Sequence, residues 1–121
     1  MTTHSLVQLD AQLNDMIGKG QILDAFDRFY ADNVEMQENS SEPIRGKAAC
    51  RKHEEEFLDS IATFHGAQLG ATAVGDDVSF AEWVFDVTFK GAERTRLTQV
   101  AVRRWHNGQV VHERFYYDSA S

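Results

Sequence analysis

The chemistry open to this chain of 121 residues rests on a few histidines, one cysteine and a surplus of carboxylates. His53 falls on the apolar side of a helical pattern. An imidazole ordinarily titrates near neutrality, so a histidine placed there is suited to moving protons. The competing reading is a half-buried histidine holding a backbone carbonyl or a glutamate. Glu38 shares a strand face with Val34 and Met36, which would bring its carboxylate to the rim of whatever those residues enclose. A solvated loop carboxylate is the alternative there. Glu113, near the end of the chain, is either an inward acid or a partner for Arg103 or Arg104. His53 with Glu38 is the candidate acid–base pair.

The aromatic residues Trp83, Phe85, Phe57 and Phe115 are core by type, since aromatic rings dominate protein interiors. The same rings would line a cavity if the core encloses one. Tyr30 and Tyr117 can each offer a hydroxyl to a ligand or to the backbone. His4, His53, His65, His106 and His112 show no ligand-like spacing, so no metal is expected. Cys50 is the lone cysteine, which excludes an intrachain disulfide and a zinc site built from cysteine pairs. It reads as a buried thiol one turn before His53. No glycine-rich phosphate loop and no Ser-His-Asp signature is legible, and no cofactor is expected. The Glu54-Glu55-Glu56 run reads as a solvated helix face.

These side chains must be held by something. Leu6, Leu9, Leu13, Met16 and Ile17 recur at helical spacing with Asp10, Gln12 and Asp15 between them, up to a stop at Gly18 and Gly20. Ile22, Phe26, Phe29 and Tyr30 form the stripe of a second helix that ends near Asp32-Asn33. Val34, Met36 and Glu38 alternate as a short strand, and Asn39 to Pro43 has loop composition. A third helix starts near Gly46, with Cys50, His53, Phe57 and Ile61 on one stripe. The segment from Gln68 to Val74 is small and β-compatible. Val78 to Phe89 is the clearest strand, with Ala81, Trp83, Phe85, Val87 and Phe89 all apolar on one face. Thr95 to Trp105 is a strand, Asn107-Gly108 is a hairpin signal, and Val110 to Tyr117 is the last strand. Helices first and an antiparallel meander after them predict an α+β fold, with three helices packed on a strongly curved antiparallel sheet.

Composition sets the bounds. Twelve basic residues against nineteen acidic ones give a net charge of −7, which speaks against nucleic acid or an anionic membrane surface as the main partner. No stretch approaches the roughly eighteen apolar residues of a membrane span. The start, Met1-Thr2-Thr3-His4-Ser5, lacks the basic and apolar regions of a secretory signal. A single domain over residues 1–121 in the cytoplasm is the expectation.

The order of several motifs carries a resemblance. Phe29-Tyr30-Ala31-Asp32-Asn33-Val34 is similar to an "aromatic, Ala-Asp-Asp, hydrophobic" step from second helix to first strand. Glu42-Pro43-Ile44-Arg45-Gly46-Lys47 is similar to the loop and glycine before the third helix. Trp105 to Val111 and Glu113 to Asp118 match the closing hairpin. On these residues the sequence resembles, over nearly its whole length, the nuclear transport factor 2-like superfamily. This is the cone-shaped, cystatin-like fold of SnoaL-like polyketide cyclases and ketosteroid isomerases. The resemblance implies a mainly apolar cavity between the concave sheet face and the helices, and a homodimer formed through the outer sheet face. A fold of this kind does not fix a function.

The resemblance also implies catalytic positions, and this sequence departs from them. The isomerase base position on the first strand falls on Met36 or Gln37, and neither is a general base. The isomerase oxyanion positions fall near Leu13 and Ala101, and the cyclase positions on Ala101 and Phe115. None of these has a proton to move. The hairpin register decides what faces inward. A plain two-residue turn pairs Ala101 with Arg114, whereas one bulged residue pairs Ala101 with Phe115. Pattern alone favours the first and the resemblance the second. With the second register the expected cavity wall is made by Tyr30, Met36 and Phe57 from the first half of the chain. Trp83, Phe85, Gln99, Ala101, Glu113, Phe115 and Tyr117 complete it from the strands.

Three functions remain open on this reading. The first is a domain that binds a small apolar molecule without assignable chemistry. The second is an isomerase- or cyclase-like enzyme acting on an apolar carbonyl compound, with His53 as proton carrier. The third is a dimeric protein-interaction module, with Val100, Val102, Arg104 and Arg114 on its sheet face.

Overall fold

A computed structural model describes residues 5–118. Helix α1 (Leu6–Gly18) opens with a capping box in which Ser5 and Gln8 satisfy each other's backbone N–H groups. Helix α2 (Ile22–Phe29) buries Ala25, Phe26 and Phe29. Helical periodicity continues toward Asp32, but the helix stops at Phe29, and strand β1 (Tyr30–Glu38) begins at once. Tyr30 is extended, with φ −98° and ψ 136°, and pairs with Val110 in the sheet. Sheet pairing thus overrides the local pattern.

A short strand β2 (Ile44–Arg45) leads into helix α3 (Lys47–Asp59). Strand β3 (Ile61–Val74) is longer than its sequence showed, because its small and polar residues have no period of their own. It is held by backbone pairing along β4 (Val78–Phe89), with three register irregularities that bend it. Strands β5 (Arg94–His106) and β6 (Gln109–Tyr117) follow. Asn107 and Gly108 join them with φ of 51° and 77°, the paired positive angles of a tight hairpin turn.

The fold is α+β, three helices and an open six-stranded sheet in the order β2-β1-β6-β5-β4-β3. Strands β3 to β6 form the expected antiparallel meander, while β1 lies parallel to β6. The core between helices and sheet holds Leu13, Phe26, Phe29, Val34, Trp83 and Trp105. Cys50 is fully buried there, its Sγ 3.3 Å from the Ile44 carbonyl oxygen, and burial pushes its thiol pKa up. Asp10, placed by the sequence among the polar residues of α1, is buried instead.

Candidate functional site

The inward face of the sheet is set by one extra residue. Trp105 pairs with Val110 and Arg104 with His112, so Val111 is the bulged residue of β6. Beyond it Arg103 pairs with Glu113, Ala101 with Phe115 and Gln99 with Tyr117. Directly paired residues point to the same side of a sheet. The register from β4 to β5 then aligns Ala81 with Ala101, and Trp83 with Gln99. The parallel pairing to β1 adds Met36 beside Glu113 and Glu38 beside Phe115. The bulged register favoured by the resemblance is the one observed.

These rows and the helices enclose a cavity of about 680 Å³. Each residue that the sequence assigned to a cavity or to acid–base chemistry borders it: His53 and Glu38, then Tyr30, Met36 and Phe57, then Trp83 and Phe85, and finally Gln99, Ala101, Glu113, Phe115 and Tyr117. Trp83 stacks on Phe85 with ring centroids 5.6 Å apart. The Trp83 indole is 1% exposed and its Nε1 finds no acceptor among the described residues. An orphaned buried donor costs about 1–3 kcal/mol.

The floor of the cavity is polar and fully connected. Arg103 is 1% exposed. Its Nε donates to Glu113 Oε2 at 2.9 Å, and its Nη1 donates to Asp10 Oδ1 at 3.0 Å and Asn14 Oδ1 at 2.7 Å. Ser79 donates to Asp10 and accepts from the Trp105 indole. The Tyr30 hydroxyl donates to Glu113 Oε1 at 2.5 Å. Burial and the Glu113 charge push the Tyr30 pKa well above the usual phenol value, so this hydroxyl remains protonated. For Arg103 burial acts downward, but the charges of Glu113 and Asp10 outweigh it and hold the guanidinium ionised. The sequence left Glu113 open between an inward acid and an arginine partner, and it is both.

Glu54 was missed by the sequence reading. It lies not on a solvated face but against the cavity, and no hydrogen bond or ion pair reaches its carboxyl among the described residues. Its pKa is raised from 4.5 to about 8, first by burial, then by the charges of Glu113 and Glu38. The residue retains partial exposure because it borders the open cavity, while protein surrounds the carboxyl closely. The signal was present in the helix arithmetic. At about 100° per residue, position 54 lies about 40° from Cys50, closer to the apolar stripe than position 53 at about 60°.

A second acid group stands at the rim. His53 Nε2 is 3.1 Å from Glu38 Oε2, and the Tyr117 hydroxyl lies 3.4 Å from Glu38 Oε1. Burial, then the Glu38 charge, raises the Tyr117 pKa. Both tyrosines therefore meet carboxylates rather than the backbone. The sequence reading of His53 as holding a glutamate and its reading as a cavity residue describe the same side chain.

The SnoaL-like domain family matches residues 1–117. The chain belongs to this family. A proposed SnoaL-like polyketide cyclase from Mesorhizobium loti is similar in structure, with a TM-score of 0.86 at 24% identity over 94% of this chain and 100% of that one. A second such protein from Jannaschia sp. CCS1 gives 0.81 at 10% identity over 98% and 92%. A proposed isomerase from Rhodopseudomonas palustris gives 0.72 at 18% identity over 98% and 92%. No curated protein matches the chain.

In this SnoaL-like domain the positions that the resemblance made catalytic lie on the cavity wall. Leu13, Met36, Ala101 and Phe115 all border the cavity, and none carries a titratable group. The titratable groups come instead from α3 (His53 and Glu54), from β1 (Glu38) and from β6 (Glu113). Among the described residues no group of three or more His, Cys, Asp or Glu side chains is arranged for a metal ion. His4 lies outside the described residues. Among the described residues no helix is long and apolar enough to cross a membrane.

Proposed function

We propose that this SnoaL-like domain binds one small, mainly apolar molecule in the cavity between helices and sheet. The observation that carries this is the cavity itself: about 680 Å³, within the roughly 300–1,000 Å³ of small-molecule sites, with aromatic and aliphatic walls and a few convergent polar groups. The test fills it. Ala101 is 1% exposed and sits between Ala81 and Phe115 on the inner face. Titration with an apolar naphthalene probe, followed by tryptophan fluorescence, should show saturable binding. Ala101→Phe should weaken that binding at least tenfold while the circular dichroism stays the same. Leu13→Ala, which widens the same space, should still bind. Absence of saturable binding to the native chain counts against the proposal.

A second reading, proton transfer, is favoured by one contact, the His53–Glu38 pair at 3.1 Å on the cavity rim. It agrees with the names of the structural neighbours, a proposed cyclase and a proposed isomerase. The reaction would be isomerisation or ring closure of an apolar carbonyl compound, with His53 carrying the proton and Glu38 orienting it. An unchanged rate in His53→Ala would sink this reading.

The outer sheet face is proposed as a homodimer surface. Phe80 and Tyr116 are 41% and 44% exposed and pair with Val102 and Val100 on that face. A reducing, cytoplasmic setting suits the single buried thiol.

A further inference from the structure

The charges that face the cavity are unbalanced in a way that selects a ligand. Glu54 projects from α3 with His53 beside it. Facing it are Tyr30 and Glu38 of β1, Glu113 of β6 and Arg103 of β5. The cations in this set are committed elsewhere. Arg103 holds Glu113, Asp10 and Asn14 at once, and two carboxylates share its single charge. His53 is turned to Glu38. Arg96 borders the cavity from an exposed position, opposite Asp86 in the strand register, whose carboxylate is held by Arg94. Both charges that act on the Glu54 carboxyl, Glu113 and Glu38, are negative. The walls add to this. Phe26 stacks on Tyr30 with centroids 4.7 Å apart, and Phe57 meets Phe89 edge-on at 5.9 Å. Aromatic faces carry the negative end of the ring quadrupole and favour cations.

Resting on the reading that the cavity holds a small molecule, we propose that this molecule is cationic: an apolar amine or ammonium compound. Its charged end sits against the Glu54 carboxyl with Glu38 and Glu113 beside it, and its apolar body lies along Trp83 and Phe85. A positive group there adds attractions to all three carboxylates, which offset the two repulsions at an ionised Glu54. It also gives the carboxyl the ionic partner that the chain does not supply. An anionic ligand such as a fatty acid meets the Glu38 and Glu113 carboxylates, and the further cation at the cavity border, Arg96, is exposed to solvent. Binding is coupled to a proton. The free carboxyl is protonated at neutral pH, since burial and its neighbours raise its pKa to about 8. Pairing with an ammonium group releases that proton to solvent, which takes it up as hydronium or buffer acid, and no bond between heavy atoms changes.

The experiment uses three probes of one shape: 1-naphthylmethylammonium, 1-naphthylmethanol and 1-naphthoate, each titrated into the native chain. The ammonium probe should bind at least about tenfold more tightly than the alcohol at pH 7, and the carboxylate weakest. Between pH 6 and pH 7.5 the ammonium affinity should rise by close to tenfold per unit, as release of one proton requires, while the alcohol affinity stays flat. Glu54→Gln should remove most of the preference for the ammonium probe over the alcohol, together with its pH slope. Equal or tighter binding of the alcohol, or a flat pH profile for the ammonium probe in the native chain, overturns the inference and leaves the cavity reading standing. No binding of any probe overturns both.

Discussion

Arg103 and Glu113 stand opposite each other on β5 and β6, Nε 2.9 Å from Oε2, each 1% exposed. Removing two charges from water is costly, and this pair is tolerable only because Asp10, Asn14 and Tyr30 complete its hydrogen bonds. Deleting the cation leaves Asp10 and Glu113 as buried carboxylates without a counterion. Arg103→Met should therefore cost about 3–5 kcal/mol in urea unfolding at pH 7. Tyr30→Phe loses one hydrogen bond to a charged group and should cost about 1.5–3 kcal/mol. The reverse order would show that Arg103 does not hold the network.

Glu54 links stability to pH. Its folded-state pKa of about 8 lies above the ordinary glutamate value, so the folded chain keeps a proton that the unfolded chain releases. The contribution is complete below about pH 4 and is lost as pH rises through 8. Glu54→Gln should match the native chain near pH 4 and exceed it by on the order of 2–4 kcal/mol at pH 8. Denaturant melts at both values read this directly, and parallel curves for the two proteins would contradict it.

The His53–Glu38 pair should matter little to stability. Its side chains are 38% and 43% exposed, and pairs so placed contribute about 0–1 kcal/mol. His53→Ala should then melt within a few degrees of the native chain. Under the proton-transfer reading the same change lowers the rate by about 10²–10⁴. A large loss of stability would make His53 a structural residue.

Gly46 caps α3 with φ 92° and ψ 144°, and a Cβ added there meets nothing within 4 Å. Gly46→Ala is penalised by backbone strain alone, on the order of 1–3 kcal/mol. Because α3 carries His53 and Glu54, probe affinity should fall along with thermal stability. A neutral substitution would mean that the helix start adjusts freely.

On the outer sheet face, Phe80→Glu should convert a dimer to a monomer in sedimentation analysis at micromolar concentration. A native chain that sediments as a monomer rules the dimer out.

The strands and helices were legible wherever a face repeats, as in Ala81, Trp83 and Phe85 of β4 or Leu13 and Ile17 of α1. The end of α2 was not. Its apolar spacing runs on through Tyr30, and only pairing with Val110, far along the chain, stops it. The cavity wall was legible once the closing hairpin was given its bulge, because register carries a whole strand face with it. Asp10 and Glu54 were read as surface because carboxylates usually are. Asp10 is buried against Arg103, a partner far along the chain that local sequence does not reveal, whereas the inward turn of Glu54 follows from its angle on α3.

The parallel seam between β1 and β6 has a kinetic consequence. Tyr30 and Glu113 are 83 residues apart in the chain, and Asp10 and Arg103 are 93 apart. Large separations between contacting residues slow folding, because the loop must close before its contacts form. The first strand and helix of this protein therefore wait for the last hairpin. During synthesis β1 has an unpaired edge and Asp10 lacks its counterion until Arg103 and β6 have been made.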